Sequence, residues 1–322
     1  MLRFILKRIF FSIPILFAVT IITFFVLHAA PGDPADILMN PRTKPEDRAR
    51  IRKNLGLDKP VYIQYIIWLK NLVTKGDMGY SMVDGRPVFA TIMERMPATI
   101  ALMGTSYFLS IILAIPLGIY CAVHRNSVFD HILTFLSFIG LSIPSFWLAL
   151  IVIYLFVIKY NSIPFISIGP PSFEGMGLLE LVKTIFLSMF LPVMVLTVRN
   201  IAVWSRYIRS SMVETLQEDY IRTARSLGIS ENTIIYKYAF KPAILPMITL
   251  VGLSLPNVAA GSFVIEYIFA WPGIGRLGIQ AMAQRNYPIM MGDILIASVM
   301  IIAANLLADI AYGWADPRIR RS

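Results

Sequence analysis

Long apolar runs, rather than alternating apolar and polar positions, dominate the sequence. A helix that crosses the hydrocarbon layer needs about 20 mostly apolar residues, because lipid offers no hydrogen-bond partner to exposed backbone groups. The pattern therefore predicts an all-α integral membrane protein with six transmembrane helices. The six segments are Ile9–Ala29, Ala98–Val123, Ile132–Ile158, Thr184–Trp204, Pro242–Ile265 and Pro288–Ala308.

The distribution of lysine and arginine predicts how these spans are oriented. With the N-terminus inside, the inner segments hold 14 of these residues and the short outer loops hold 4. Cytoplasmic loops carry an excess of basic residues, whereas loops longer than about 60 residues weigh little in this bias. We therefore expect both termini in the cytoplasm and the first span to be a retained anchor.

This orientation divides the chain into four regions. Residues 1–29 hold the cytoplasmic N-terminus and the first span, residues 30–97 an extracytoplasmic cap, residues 98–313 the transmembrane core, and residues 314–322 a cytoplasmic tail. Apolar residues at helical spacing around Trp68 predict a helix in the cap. The cap either packs on the membrane face or docks an extracytoplasmic partner.

Proline and polar positions inside the spans predict kinks and a candidate path. Proline falls inside five spans, where it removes a backbone hydrogen bond and kinks the helix, either as a fixed packing shape or as a hinge. In the fifth span, one helical face carries Ser254, Asn257 and Gly261. This face either lines a water-filled path or packs against another helix. Asp293, an acidic residue in the sixth span, is a further candidate for the path.

The composition agrees with a membrane location and excludes several kinds of chemistry. Of the 322 residues, 57% are hydrophobic and 15% are charged, whereas a soluble domain keeps about a quarter of its residues charged. The net charge of +10 fits cytoplasmic loops and acidic lipid headgroups better than nucleic acid. The sequence has a single cysteine, Cys121, and contains no metal-ligand cluster, no catalytic triad and no GxxxxGK[ST] motif. We therefore expect neither an enzyme nor a metal site.

The longest inner loop, residues 205–241, predicts two short helices joined at a sharp corner. Good helix formers at 219–227 place Tyr220 and Ala224 on one helical face. Gly228 is the residue best able to end that helix in a left-handed conformation. A short helix held at such a corner either contacts a partner protein or lies on lipid headgroups.

Several short stretches stand out in order along the chain. They are MLRFILKRI at residues 1–9, PGDP at 31–34, LGLDKP at 55–60, GDMGYS at 76–81, EDYIRTARSLG at 218–228, YAFKPAILP at 238–246, WPGIGRL at 271–277 and DPRIR at 316–320. Together they resemble the dipeptide, oligopeptide and nickel permease family of ABC importers. The two stretches within 218–246 resemble the cytoplasmic EAA loop of that family, although Arg222 stands at the position of the glutamate that gives the loop its name.

The resemblance implies a type I ABC-importer permease fold and the first of two permease subunits in the prokaryotic cell membrane. In that family the corner helix, called the coupling helix, sits in a groove of the cytoplasmic ATPase. The coupling positions expected from this are Tyr220, Ala224, Arg225 and Gly228.

The resemblance also implies partners and a cargo. The expected partners are membrane lipid, a homologous second permease, two ATPase subunits that bind ATP and Mg, and an extracytoplasmic binding protein; the chain itself is expected to hold no cofactor. The expected cargo is a dipeptide or oligopeptide, with nickel or a metal chelate as the alternative. An ion-coupled secondary carrier is a more distant alternative.

Overall fold

The computed structural model describes residues 2–29, 58–162 and 177–315 of the chain. The sequence motifs at 31–34 and 316–320 therefore lie outside the described residues. Within them the elements are helical, and one isolated bridge joins Tyr80 to Pro87. In chain order the helices are α1 (Leu2–Ala29), α2 (Val61–Lys75), α3 (Val88–Val123), α4 (Val128–Ser142), α5 (Ser145–Lys159), α6 (Leu178–Thr215), α7 (Asp219–Ser226), α8 (Glu231–Ala243), α9 (Leu245–Ala260), α10 (Phe263–Ile268), α11 (Ile274–Ala283) and α12 (Tyr287–Ala315).

Several of these helices are long and apolar enough to cross a membrane. Among the described residues, α1, α3, α6 and α12 meet the requirement singly, and the pairs α4–α5 and α8–α9 meet it as bent units. The chain thus has four candidate spans, or six if each bent pair forms one span. An all-helical, multi-pass membrane protein is confirmed.

The third and fifth predicted spans are bent rather than continuous. α4 and α5 meet at 102°, and α8 and α9 meet at 45°. Pro144 is the N-cap of α5, where its missing N–H separates the two helices. α9 ends at Ala260, before Gly261 with its φ of +75°, so this helix stops short of Ile265, the predicted end of the fifth span. Pro116, by contrast, lies inside the unbroken α3.

The apolar run predicted a span that begins at Ala98, but α3 already begins at Val88. Its 36 residues extend about 54 Å, well beyond the roughly 30 Å of a hydrocarbon core. The predicted helix around Trp68 is confirmed as α2. It packs on α1, where the hydroxyls of Tyr65 and Thr20 lie 3.1 Å apart.

Two buried clusters lie at opposite ends of α3. The first joins α3, α6, α7 and α8, and α3 approaches α6 so closely that a Cβ on Gly118 would lie 2.7 Å from the Cβ of Ile208. The second joins α3, α11 and α12 through Val88 and Ile92 of α3, Ile274 of α11 and Ile289 of α12. We call these two regions the α7 end and the α11 end of the bundle.

Candidate functional site

The predicted corner between α7 and α8 is present. Gly228 has a φ of +74°. Its N–H donates to the carbonyl of Arg225 at 3.0 Å, and the N–H of Ile229 donates to the carbonyl of Ala224 at 3.2 Å. This pair of bonds is a Schellman motif, which satisfies carbonyls that the end of a helix leaves open. The helix of residues 219–227 and its glycine terminator are therefore confirmed.

The residues predicted to share one face of α7 are divided between the core of the chain and its surface. Ile221 and Ala224 are 0% and 4% exposed and belong to the cluster at the α7 end. Tyr220 is 45% exposed and Leu227 is 74% exposed. Tyr220 and Ala224 therefore do not form one free surface, because Ala224 packs against the chain's own core. Helical spacing alone could not reveal this, since it depends on how α7 rests on α6 and α8.

Charged side chains surround the exposed side of α7. The guanidinium of Arg225 donates to the carboxylate of Glu231 at 2.8 Å, which ties the two helices together across the corner. Arg222 pairs with Asp219 at 3.2 Å along the helix itself. Partial burial, with a smaller contribution from a neighbouring carboxylate, raises the pKa of the Tyr220 phenol, so this side chain is neutral at physiological pH. The free surface thus presents the neutral ring of Tyr220 and the apolar side chain of Leu227 among ion pairs.

A partly buried ion pair fixes α4 to α6 at the same end. Nε of Arg209 lies 2.5 Å from Oδ1 of Asp130, and Nη2 lies 2.7 Å from Oδ2. Asp130 is 2% exposed and also accepts the backbone N–H of Asn126 at 3.0 Å. Such a bidentate pair sets both distance and orientation. The start of the bent α4–α5 unit is therefore held to the helix that leads into α7.

A carboxylate caps a helix at the α11 end. Glu266 is 0% exposed, and its Oε2 accepts the backbone N–H groups of Gly275 at 2.8 Å and Arg276 at 3.3 Å. Thr99 of α3 donates to Oε1 of Glu266 at 3.0 Å and accepts the N–H of Ile274 at 2.8 Å. The first three N–H groups of α11 are thereby satisfied, and the carboxyl oxygens lie at the positive end of the helix dipole. The sequence placed Glu266 near a span end but gave no signal of this burial.

The WPGIGRL stretch folds tightly around this carboxylate. A Cβ on Gly273 would lie 2.2 Å from Oε2 of Glu266, and a Cβ on Gly275 would lie 2.6 Å from the Cα of Phe263. The indole N–H of Trp271 donates to the carbonyl of Ala98 at 2.8 Å. The glycines of the motif therefore let the loop pass close to Glu266, and the tryptophan fastens it to α3.

Asn286 fastens the loop before α3 to the start of α12. Its amide donates to Oγ of Ser81 at 2.8 Å and its Oδ1 accepts the N–H of Met82 at 3.1 Å. Asn286 is 3% exposed. The GDMGYS stretch, which contains Ser81, is thus attached to the α11 end rather than standing free.

The four candidate path residues lie in different surroundings. Ser254 and Asn257 lie on α9, whereas Gly261 lies beyond its end and faces Thr99. Asp293 is 2% exposed, with its Oδ2 against Gly278, and its Oδ1 has no hydrogen-bond partner among the described residues. Their role in a path stays a prediction.

Comparison with known proteins gives consistent results along the chain. Residues 114–321 match the family described as binding-protein-dependent transport system inner membrane component, and residues 1–103 match its N-terminal family. The chain is 40% identical to the oligopeptide transport system permease protein AppB of Bacillus subtilis over 320 residues, which cover 99% of each chain. It is 37% identical to the dipeptide transport system permease protein DppB of Escherichia coli over 338 aligned residues, again with 99% of each chain covered.

Proposed function

Because the chain belongs to the family of binding-protein-dependent transport system inner membrane components, we propose that it is a permease subunit of an ATP-driven peptide importer. The relatives reported above are named for oligopeptides and dipeptides, which favours peptides over nickel or a metal chelate as cargo. The sequence contains no P-loop motif, so the energy for transport comes from partner ATPases.

The proposed assembly contains four further subunits besides this chain. A homologous second permease forms the other half of the path, two ATPases bind the cytoplasmic side, and an extracytoplasmic binding protein delivers the peptide. Both bent pairs cross the prokaryotic plasma membrane, which gives six spans with both termini in the cytoplasm. In this orientation the α7 end is cytoplasmic, in agreement with the basic residues of the loop 205–241.

The geometry of α7 is the observation that carries the proposal. α7 is seated on the bundle through Ile221 and Ala224, is ended by the Schellman turn at Gly228, and leaves Tyr220 and Leu227 exposed. A helix held in this way moves with the bundle as a rigid body, because both its packing and its terminus are fixed. An ATPase that grips its exposed side therefore displaces the spans.

The roles of the expected coupling residues differ under this proposal. Tyr220 is the contact with the ATPase groove, Ala224 seats the helix, and Gly228 sets the corner. Arg225 reinforces the corner through Glu231. Under this proposal Tyr220 makes the contact, and the other three residues hold the helix and its corner in place.

A cross-linking experiment tests the contact. In a Cys121→Ala background, Leu227→Cys is expected to form a disulfide with a cysteine in the groove of the ATPase. The matched control is Val73→Cys on α2, since Val73 is 75% exposed and Leu227 is 74% exposed. Cross-linking at position 73, or its absence at position 227 for every groove cysteine tried, contradicts the proposal.

Reconstitution tests the energy source. Proteoliposomes that hold both permeases and the ATPases are expected to accumulate dialanine when two conditions are met. ATP must be present on the side of the membrane that carries the ATPases, and the binding protein must be present on the other side. Liposomes that hold this chain alone are expected to show no uptake under a proton or sodium gradient. Gradient-driven uptake by the single chain favours the secondary carrier instead.

A further inference from the structure

Two arginines lie on neighbouring helices at the α11 end, close to the point where α3 contacts the capped start of α11. Arg95 lies on α3, four residues before Thr99, and Arg276 lies on α11, two residues after Ile274. Thr99 and Ile274 are joined by a hydrogen bond of 2.8 Å, so the helices are in direct contact at this point. The guanidinium groups of Arg95 and Arg276 lie within electrostatic range of each other.

Arg95 belongs to the buried stripe of α3 rather than to its lipid-facing side. Ile92, Thr99 and Leu102, at helical spacing around it, are each 0% exposed. Arg95 itself is partly exposed, and so is Arg276. Because α3 is longer than the hydrocarbon core is thick, this turn of the helix reaches the aqueous boundary. The pair is therefore recessed between two helices but open to water.

No carboxylate within residues 58–162 and 177–315 forms an ion pair with either arginine. Glu94, the neighbour of Arg95, pairs with Arg86 instead. Glu266, the closest acid to the start of α11, already accepts two backbone N–H groups and one hydroxyl.

Most of the guanidinium donors of the pair have no partner in the described part of the chain. The guanidinium of Arg276 donates to the carbonyl of Ala270, and in the described part of the chain Arg95 has no hydrogen-bond partner. Two cations held close together repel each other unless an anion joins them. Partly buried charges without a partner are also typical of binding sites in membrane proteins.

We propose that Arg95 and Arg276 form a carboxylate-binding site at the extracytoplasmic mouth, and that its ligand is the C-terminal carboxylate of an incoming peptide. This inference rests on the proposed function, which supplies the orientation and the cargo. The planar guanidinium forks match a carboxylate, and each charge-assisted hydrogen bond is stronger than a neutral one. A recessed pair favours a small free carboxylate over a flat protein surface, which would meet the exposed Arg86 and Glu94 first.

Arginine modification tests the site without transport. The assembled transporter, without its binding protein, is treated with phenylglyoxal, and the labelled arginines are mapped by mass spectrometry. Dialanine is expected to slow the labelling of Arg95 and Arg276, whereas dialanine amide, which lacks the carboxylate, is expected to leave it unchanged. Arg86, which is exposed and paired, is the internal control and is expected to label at the same rate in all samples.

Transport kinetics test the same site in the working complex. With the binding protein saturated by each ligand, Arg95→Gln and Arg276→Gln are expected to lower uptake of dialanine about tenfold, the effect of losing one charge-assisted hydrogen bond. Uptake of dialanine amide is expected to stay the same, and Arg86→Gln is expected to change neither.

Each contrary outcome has a distinct meaning. Labelling that dialanine does not slow, or that the amide slows equally, overturns the site. Equal losses for dialanine and its amide in the Gln variants also overturn it, because the pair then supports the fold or docks the binding protein. Failure of the proposed function is seen separately, as absence of ATP-driven uptake by the unsubstituted complex.

Discussion

Replacing Gly228 with asparagine, alanine or valine strains the corner between α7 and α8 without crowding it. The φ of Gly228 is +74°, and no atom lies within 4 Å of the position that a Cβ would occupy. The cost is therefore that of the backbone alone, about 1–2 kcal/mol for an ordinary L-residue in the left-handed region. Asparagine tolerates this region best and a β-branched residue tolerates it least. The formed corner is thus expected to lose population in the order Asn, Ala, Val.

The expected result is a graded loss of coupling. A cost of 1–2 kcal/mol corresponds to roughly a 5- to 30-fold change in the ratio of formed to unformed corner. We expect dialanine taken up per ATP hydrolysed to fall in the order Gly228→Asn, Gly228→Ala, Gly228→Val, with unchanged amounts of the chain in the membrane. The assay measures uptake and ATP hydrolysis in the same proteoliposomes.

The matched control is Gly76→Ala at the end of α2. Gly76 has a φ of +65°, also ends a helix, and also has no atom within 4 Å of a Cβ. It carries the same backbone cost at the opposite end of the bundle, so the ratio of uptake to hydrolysis is expected to stay at the unsubstituted value. An equal loss in Gly76→Ala, or a normal ratio in Gly228→Val, refutes the role of the corner.

The remaining predictions concern groups whose burial decides the effect. Ala224→Glu places a charge in the cluster at the α7 end, so we expect lower melting temperature in detergent as well as lost transport, rather than selective uncoupling. Glu266→Ala leaves several buried donors without an acceptor, and each costs about 1–3 kcal/mol of folding free energy. This variant is therefore expected to unfold at a lower temperature than Glu266→Gln, which keeps one acceptor oxygen. Arg209→Met is expected to destabilise the folded chain by about 3 kcal/mol, the low end of the range for a buried pair, because Arg209 is 30% exposed. In the double variant that also carries Asp130→Leu, most of this stability is expected to return, as measured by the same thermal assay. Gly104→Pro is expected to interrupt α3 at a cost of about 3 kcal/mol and to reduce transport, whereas Gly104→Ala, which has no atom within 4 Å of its Cβ, is expected to transport normally.

Local sequence signals were sufficient for the corner but not for its packing. The helix formers of α7 and the glycine at 228 act on neighbouring residues, so their effect could be predicted without knowing the rest of the fold. The choice of Ile221 and Ala224 as the buried side depends on contacts with α6 and α8. Helical spacing gives the faces of a helix but does not say which of them meets the bundle.

The proline signals show the same distinction between local and distant effects. Pro116 and Pro144 remove the same backbone donor, yet Pro116 stays inside α3 and Pro144 begins α5. Gly118, close to Pro116, lets α3 press against α6, and this packing supports a continuous helix. Whether a proline kinks or ends a helix therefore depended on a neighbouring helix that the sequence pattern could not place.

Glu266 was beyond prediction because its donors are distributed along the chain. The backbone donors belong to α11, a few residues later, and the hydroxyl belongs to Thr99, 167 residues away along the sequence. A lone glutamate near a span end resembles a solvated boundary residue until these groups are brought together. Its burial follows from the tertiary fold, since the carboxylate replaces water as the acceptor for α11.

α3 connects the two ends of the bundle. At one end it belongs to the cluster that seats α7, and at the other Thr99 holds the cap of α11, with Arg95 one turn before Thr99 on the same helix. α3 is an unbroken helix that packs along α6, whereas α4–α5 and α8–α9 are bent units that absorb part of any displacement. A movement imposed on α7 is therefore passed most directly through α3 to the mouth. If both proposals hold, a movement that an ATPase imposes on α7 changes the spacing of Arg95 and Arg276, and with it the hold on the peptide, in the same step.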